Sequence, residues 1–298
     1  MADKIEILPV SLLESEKTTI NELKILAEEL KLEFGWHYLL DLSWIIGNLD
    51  QIDGQKMIDA GAGTGVMQWY LANEGATVIS IDRESRANLS PRFRRRFNVE
   101  GLREDDFQEK SKYPNNVSQS SLKMRMANFV DAVSYETKAL TKSEGKRDTG
   151  IVFIYNQDLT ELADISENSI DAIVAVSSLE HNSPEGLEEV IAELLRVLKP
   201  GGALLATLGA ANGEDWYHEP SQGWCYSEAT LRRIFDIPKD VQSNFDQYDQ
   251  LFDALRDNRE LKENLASFYF RSGDNGMPWG EWDPKYQPVG IVKIKAEQ

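Results

Sequence analysis

Seven residues lie between a short apolar run and an amphipathic one: Asp59-Ala60-Gly61-Ala62-Gly63-Thr64-Gly65. Glycines at alternate positions let a backbone turn tightly and let a ligand approach the main chain. Amides that open a helix favour an anionic or electron-rich group. Asp82 closes the next apolar run, 17 residues beyond Gly65. In nucleotide-binding sheets an acid so placed accepts both ribose hydroxyls. Taken singly, the glycines serve a plain turn equally well, and Asp82 a helix cap. For proton transfer near neutral pH the chain offers three histidines, His37, His181 and His218.

These residues need a frame that brings strand ends together. Met57–Ala60 and Thr77–Asp82 are predicted as strands flanking a helix at Val66–Asn73. The same rhythm resumes with strands at Ile151–Tyr155, Ile170–Val176 and Ala203–Leu208. Between the last two, Ser183 is a predicted N-cap with Pro184 at the first helical position. Leu187, Val190, Ile191, Leu194, Leu195 and Leu198 form that helix's apolar stripe, and Pro200-Gly201-Gly202 stops it. Further helices are predicted near Ser227–Phe235 and Gln247–Lys262, and late strands near Ala266–Arg271 and Val289–Lys295. Strands alternating with helices imply a doubly wound, mostly parallel sheet covered on both faces, seven-stranded in this count. Ligands bind such sheets beyond the carboxyl ends of the strands, at the switch point.

Two stretches depart from the rhythm. Residues 1–55 read as an N-terminal helical cap, with Ile20, Leu23, Leu26, Ala27 and Leu30 at helical spacing. Residues 83–149 read as an insertion without a strand of the α/β type and with a helix from about Leu122 to Leu140. A structureless loop of that length is uncommon in a compact domain, so helices over the sheet edge are expected.

Composition narrows the function. A net charge of −18 over 298 residues argues against binding bulk nucleic acid. One cysteine, Cys225, fits a reducing cytosol, and the N-terminus lacks the pattern of a signal peptide, so a cytoplasmic location is expected. The longest apolar stretch, Trp36–Ile46, is interrupted by Asp41 and Ser43 and is too short to span a bilayer, so no membrane insertion is expected.

IDAGAGTG, VISID, YNQDLTEL, SIDAIVAVSSLEHN and ELLRVLKPGGALLATL follow one another in an order and spacing that resemble the class I S-adenosylmethionine-dependent methyltransferases. The resemblance spans about Lys56–Asp82 and Ile151–Leu208. It implies a Rossmann-like fold, S-adenosyl-L-methionine as cofactor, and a methyltransferase domain at 56–298. On the matching positions it implies that Asp59, Gly61, Ala62, Gly63 and Gly65 cradle the methionyl part. Asp82 with Arg83 would hold the ribose side, Asp158 and Leu159 the adenine edge, and Val176 and Ser177 the floor beneath the sulfonium. A nicotinamide-dependent dehydrogenase is the competing reading, but its GxGxxG loop usually follows an apolar residue, and Asp59 would repel a pyrophosphate.

The acceptor side is less defined. His181 follows the fourth strand and is the first candidate for a base toward an oxygen nucleophile. Tyr217, His218 and Trp224 lie in the loop after Ala203–Leu208 and either wall an acceptor pocket or form plain surface. His37 and Tyr38 lie where a helix could lid the cofactor, although Trp36, Tyr38 and Trp44 equally suit core packing. Glu180-His181 resembles a divalent-metal site of some quinone-pathway O-methyltransferases, but the wider acidic pattern is missing and no metal is predicted. Arg83, Arg86, Arg92, Arg94, Arg95 and Arg96 reverse the chain's charge locally. They fit either an anionic acceptor or bonding to the protein's own acids, and the second reading is preferred. The acceptor is thus a small molecule or glycan precursor. The runner-up is a catalytically silent, cofactor-binding regulatory or scaffold subunit.

Overall fold

A computed structural model describes residues 1–107, 149–271, 273 and 275–297. Its centre is a sheet of parallel strands: β2 (Lys56–Ala60), β3 (Thr77–Asp82), β4 (Asn98–Gly101), β5 (Ile151–Asn156), β6 (Ile170–Val176) and β7 (Leu198–Ala210). With β1 (Lys4–Ile7) and β10 (Gln287–Ile294) the order is β1-β10-β7-β6-β2-β3-β5-β4, and β10 runs antiparallel to both neighbours. A hairpin of β8 (Trp216–His218) and β9 (Gly223–Tyr226) joins the end of β7.

Side-chain alternation explains why the sheet is covered twice. Met57, Val78, Val152 and Val174 point into one core. Ile58, Ile79, Ile173 and Leu204 point into the other. Because successive residues face opposite sides, a strand apolar at both parities must be buried on both faces. The first core is closed by α1 (Leu12–Ser15), α2 (Lys17–Leu30), α3 (Tyr38–Gly47), α4 (Met67–Asn73) and α5 (Pro91–Arg96). The second is closed by α6 (Pro184–Val197) and α7 (Glu228–Ile234). α6 starts as the sequence predicts, with Ser183 Oγ accepting the Gly186 N–H at 3.2 Å and Pro184 next. Two short helices, α8 (Tyr248–Arg256) and α9 (Arg259–Glu263), follow.

The doubly wound, mostly parallel architecture is the expected one, with five corrections. Ten strands are present among the described residues, not seven. Ala266–Arg271 is not a strand: Ser267–Phe270 forms a 3₁₀ turn, with Tyr269 N–H bonded to Ala266 O and Arg271 N–H to Phe268 O. Its aromatic content imitates a strand, but only Tyr269 of the turn is fully buried. The N-terminal 55 residues are not wholly helical, since Lys4–Ile7 pairs with Val289–Val292 and extends the sheet. The stretch after Asp82 does contain a parallel strand, because Asn98–Gly101 pairs with Ile151–Ile154 at the edge. The helix expected at Leu122–Leu140 lies outside the described residues. The helix predicted at 247–262 is two, because Asn258 accepts the Leu261 N–H and caps a new start. Among the described residues no helix is long and apolar enough to cross a membrane.

β2 is where the winding reverses: β3 lies on one side of it and β6 on the other. The carboxyl ends of these three strands carry Asp59, Asp82 and Ser177.

Candidate active site

The glycine loop is held mainly by the protein's own polar groups. Gly61 and Ala62 N–H both donate to Ile81 O at 3.0 Å, and Gly65 N–H to Ala62 O at 2.9 Å. Gly63 N–H donates to Asp82 Oδ2 at 2.7 Å. Four of the amides that could have met a ligand are therefore spent inside the fold. What the loop offers is shape and two acids rather than a row of free N–H groups.

Two glycines show why side chains are excluded. Gly61 has φ of 71°, and a Cβ there would stand 2.5 Å from Ser178 Cβ. Ser178 in turn donates its hydroxyl to Ala60 O at 2.7 Å, clipping β6 to β2. Gly63 has φ of 47°, and its missing Cβ keeps the space before Asp82 open, 3.8 Å from Oδ2. Gly61→Ala adds left-handed backbone strain of about 1–2 kcal/mol to that clash. The expected result is a lower urea midpoint with an unchanged slope, checked by circular dichroism.

Under the loop runs a buried polar chain, of whose members only Arg86 was a candidate from the sequence. Gln68 Nε2 reaches the carbonyls of Ala62, Gly63 and Gly65 at 3.3, 3.4 and 3.1 Å. Gln68 Oε1 accepts the Ser80 hydroxyl at 2.7 Å. Arg86 donates to Ser80 Oγ through Nη1, and to the carbonyls of Ser80 (2.8 Å) and Tyr155 (3.1 Å) through Nη2. Arg86 is only 3% exposed. The signal for this chain was present: Gln68 and Ser80 are polar residues on otherwise apolar faces.

The acids differ in environment. Asp59 is buried, and desolvation pushes its carboxyl up to about 7. The Arg86 charge and the Gln68 N–H oppose that rise, and Asp82 adds to it. Asp82 is better solvated and accepts the N–H groups of Gly63 and Glu84, each at 2.7 Å. Asn156 Nδ2 fixes the turn behind it through Asp82 O and Arg83 O, both at 2.9 Å. Asp158 pairs with Arg83 and accepts the Thr160 N–H at 2.9 Å, so it closes a turn. Leu159 is partly buried beside the second core.

At the end of β6, Ser177 adopts φ of 44°, and its N–H donates to Thr207 O and Oγ1 at 3.1 and 3.2 Å. Its hydroxyl donates to Glu180 Oε1. Val176 is partly buried in the first core. His181 is exposed, with Nδ1 2.9 Å from Gln222 O in the hairpin turn. A carbonyl only accepts, so Nδ1 carries the proton in this contact. The neutral ring then keeps its lone pair on Nε2.

The acceptor-side residues divide. His218 is 5% exposed, with Nδ1 2.7 Å from Ser221 Oγ, and burial followed by the Lys285 charge lowers its pKa. Tyr217 is exposed and pairs with partly buried Trp224 across the hairpin, ring centroids 5.6 Å apart. Trp36 and Trp44 are core residues, and Gly290 leaves the room that Trp44 fills. Tyr38 stands on the first turn of α3, where the charges of Glu180, Asp41 and Asp59 all raise its pKa beyond the effect of burial.

Five of the six arginines in the basic segment are engaged within the chain. Arg83 meets Asp158, Arg86 lies under the loop, and Arg96 meets Glu29. Arg92 and Arg94 lie over the rings of Phe93 and Phe107 at 4.9 and 4.3 Å. Among the described residues no group of three or more His, Cys, Asp or Glu converges as metal ligands do. A cavity of about 190 Å³ lies away from these acids, between α2, Trp36 and Leu261.

The model of the methyltransferase-domain family matches residues 117–206. That span takes in β5, β6, α6 and most of β7, and begins after the glycine loop and Asp82. No curated protein matches the chain. Among solved structures the chain is similar to a SAM-dependent methyltransferase from Methanosarcina mazei, at 15% identity over 85% of this chain and 98% of that one, with a TM-score of 0.44. It is also similar to the geranyl diphosphate C-methyltransferase of Streptomyces coelicolor, solved with Mg2+, geranyl diphosphate and S-adenosyl-L-homocysteine. That likeness has 13% identity, 84% of this chain, 75% of that one, and a TM-score of 0.47.

Proposed function

We propose that the chain, whose residues 117–206 match a methyltransferase-domain model, is an S-adenosylmethionine-dependent methyltransferase that passes the methyl group to a small-molecule or glycan-precursor acceptor, with oxygen preferred as the nucleophile. The observation that carries the cofactor half is the pair of acids on adjacent parallel strand ends, Asp59 and Asp82, with Gly63 N–H bonded to the second. A buried carboxylate of raised pKa suits an ammonium, which repays its desolvation on pairing. The open face before Asp82 leaves carboxylate lone pairs for two hydroxyls.

In this reading Asp59 with Gly61, Ala62, Gly63 and Gly65 holds the methionyl end, and Asp82 the ribose. Arg83, Asp158 and Leu159 border the adenine, and Val176 and Ser177 form the floor. When bound, S-adenosylmethionine supplies a methyl carbon made electrophilic by its sulfonium. The protein's share is placement of an in-line nucleophile, which can supply much of the acceleration. His181 Nε2 receives the hydroxyl proton, and Gln222 O fixes the tautomer that leaves Nε2 free for it. Tyr38, Tyr217, His218 and Trp224 border the acceptor. The placement of the basic segment favours bonding within the protein over an anionic acceptor.

Calorimetry with S-adenosylmethionine, S-adenosylhomocysteine and NAD tests the cofactor half. The first two bind and the third does not; silence from the first two removes the reading. A panel of acceptors with labelled methyl donor then separates an enzyme from a silent subunit. In that assay His181→Ala is expected to lose about 10²–10⁴-fold in turnover with cofactor affinity within about twofold of the parent. Full turnover in the variant removes His181 as the base.

A further inference from the structure

Two buried carboxylates beside α3 each have an oxygen without a hydrogen-bond partner. Glu180 is 6% exposed; its Oε1 accepts the Ser177 hydroxyl, and its Oε2 is unmatched. Asp41 is 0% exposed; its Oδ2 meets His37 Nδ1, and its Oδ1 is unmatched. Unmatched buried carboxylate oxygens are expensive, and an apolar side chain in either place would serve stability better.

The two acids belong to one region. A Cβ at Gly223 would stand 3.1 Å from Glu180 Cγ, and Gly223 pairs with His218, which reaches His37, the partner of Asp41, through the ring of Tyr286. Ser177, bonded to Glu180, is a residue of the proposed cofactor floor, and the charges of both acids and of Asp59 act on Tyr38. The surrounding groups are aromatic. The ring of Tyr286 lies 5.3 Å from Trp36, 5.8 Å from His37 and 5.3 Å from His218. Glu180 acts on Tyr286 and Tyr226 as it does on Tyr38. The imidazoles of His181 and His37 also act on Glu180. Aromatic faces and unmatched carboxylate oxygens share one preference: an organic cation bearing N–H donors.

We propose that Glu180 and Asp41 receive a protonated amine of the methyl acceptor, making the acceptor a small amine-bearing molecule. The inference rests on the methyltransferase reading above and names the acceptor class for that same site. It also gives α3 a function, since His37, Tyr38 and Asp41 all come from its start. His181 lies on the exposed side of the same 3₁₀ turn as Glu180, so anchoring and proton removal fall to neighbouring residues with different surroundings.

The test uses the full chain and three probes of one shape: 2-phenylethylammonium, 2-phenylethanol and 3-phenylpropionate. Binding is measured by calorimetry with and without saturating S-adenosylhomocysteine. The ammonium is expected to bind at least tenfold more tightly than either other probe. Glu180→Gln and Asp41→Asn are each expected to reduce that preference at least tenfold, with S-adenosylhomocysteine still bound as evidence of folding. Equal binding of the alcohol means a neutral donor is read and overturns the proposal. So does equal binding of the carboxylate, absence of ammonium binding, or a preference unchanged in both variants. If S-adenosylhomocysteine itself does not bind the parent protein, the methyltransferase reading falls, a result distinct from loss of the amine preference alone.

Discussion

Replacing Arg86 with methionine is expected to destabilise the protein by about 3–5 kcal/mol, the usual cost of removing one member of a buried charged network. The guanidinium touches three acceptors, Ser80 Oγ, Ser80 O and Tyr155 O. Without it the two carbonyls lose donors in a dry interior, and Asp59 and Asp82 lose the positive charge that acts on both. Methionine has nearly the length of the lost side chain, so a packing void contributes little. The denaturant midpoint should fall with no change in slope. Arg86→Lys should recover little, because one ammonium cannot reproduce contacts made by two guanidinium nitrogens at fixed spacing. A lysine variant as stable as the parent would show that charge alone matters. Cofactor binding should weaken as well, since Ser80 passes the constraint to Gln68 and Gln68 to three carbonyls of the glycine loop.

Arg86 also shows where the sequence stops being legible. In one dimension it is one of six arginines between positions 83 and 96, with nothing to separate it from Arg92 or Arg94. The fold separates them: Arg86 lies four residues past a strand end and turns back under the sheet, whereas Arg94 is exposed over Phe107. The parallel strands were legible because they are apolar at both parities, and α6 because its cap, proline and stripe agree. β1, β4, β8 and β9 were not, because strands of three or four residues carry too few positions for a period to register. Ser267–Phe270 was misread for the opposite reason, since strand-forming aromatics there serve a turn.

The candidate site divides the same way. Asp59 and Asp82 follow from their places at strand ends. From sequence Glu180 stood out only with His181, as a metal-site resemblance, because burial and an unmatched oxygen are three-dimensional properties. Asn156 was likewise hidden: its contacts are with the main chain behind Asp82, 74 and 73 residues earlier.

Asp59→Asn is expected to weaken S-adenosylmethionine by about 30- to 1,000-fold, the range for removing one partner of a buried charge pair, about 2–4 kcal/mol. The same change should stabilise the free protein at pH 8. The folded carboxyl is raised from 3.8 to about 7, so between those values the native state holds a proton that the unfolded chain has released. Stability therefore falls as pH rises through this window and stays low above it, by at most about 4 kcal/mol at 1.36 kcal/mol per unit. Asparagine has no such titration, so the variant gains on the parent as pH rises from about 4 to 7, and the two converge at lower pH. Cofactor affinity has the opposite slope. An ammonium needs the ionised acid, so parent affinity should climb by up to about tenfold per unit from pH 5 to 7 and then level. The variant's affinity should be flat across that range. Thermal melts and calorimetry on both proteins over pH 5–8 read the two slopes. Parallel slopes in parent and variant would place the titrating group elsewhere. Crossing slopes would mean that the site keeps at Asp59 a charge that burdens the empty fold because the methyl donor requires it.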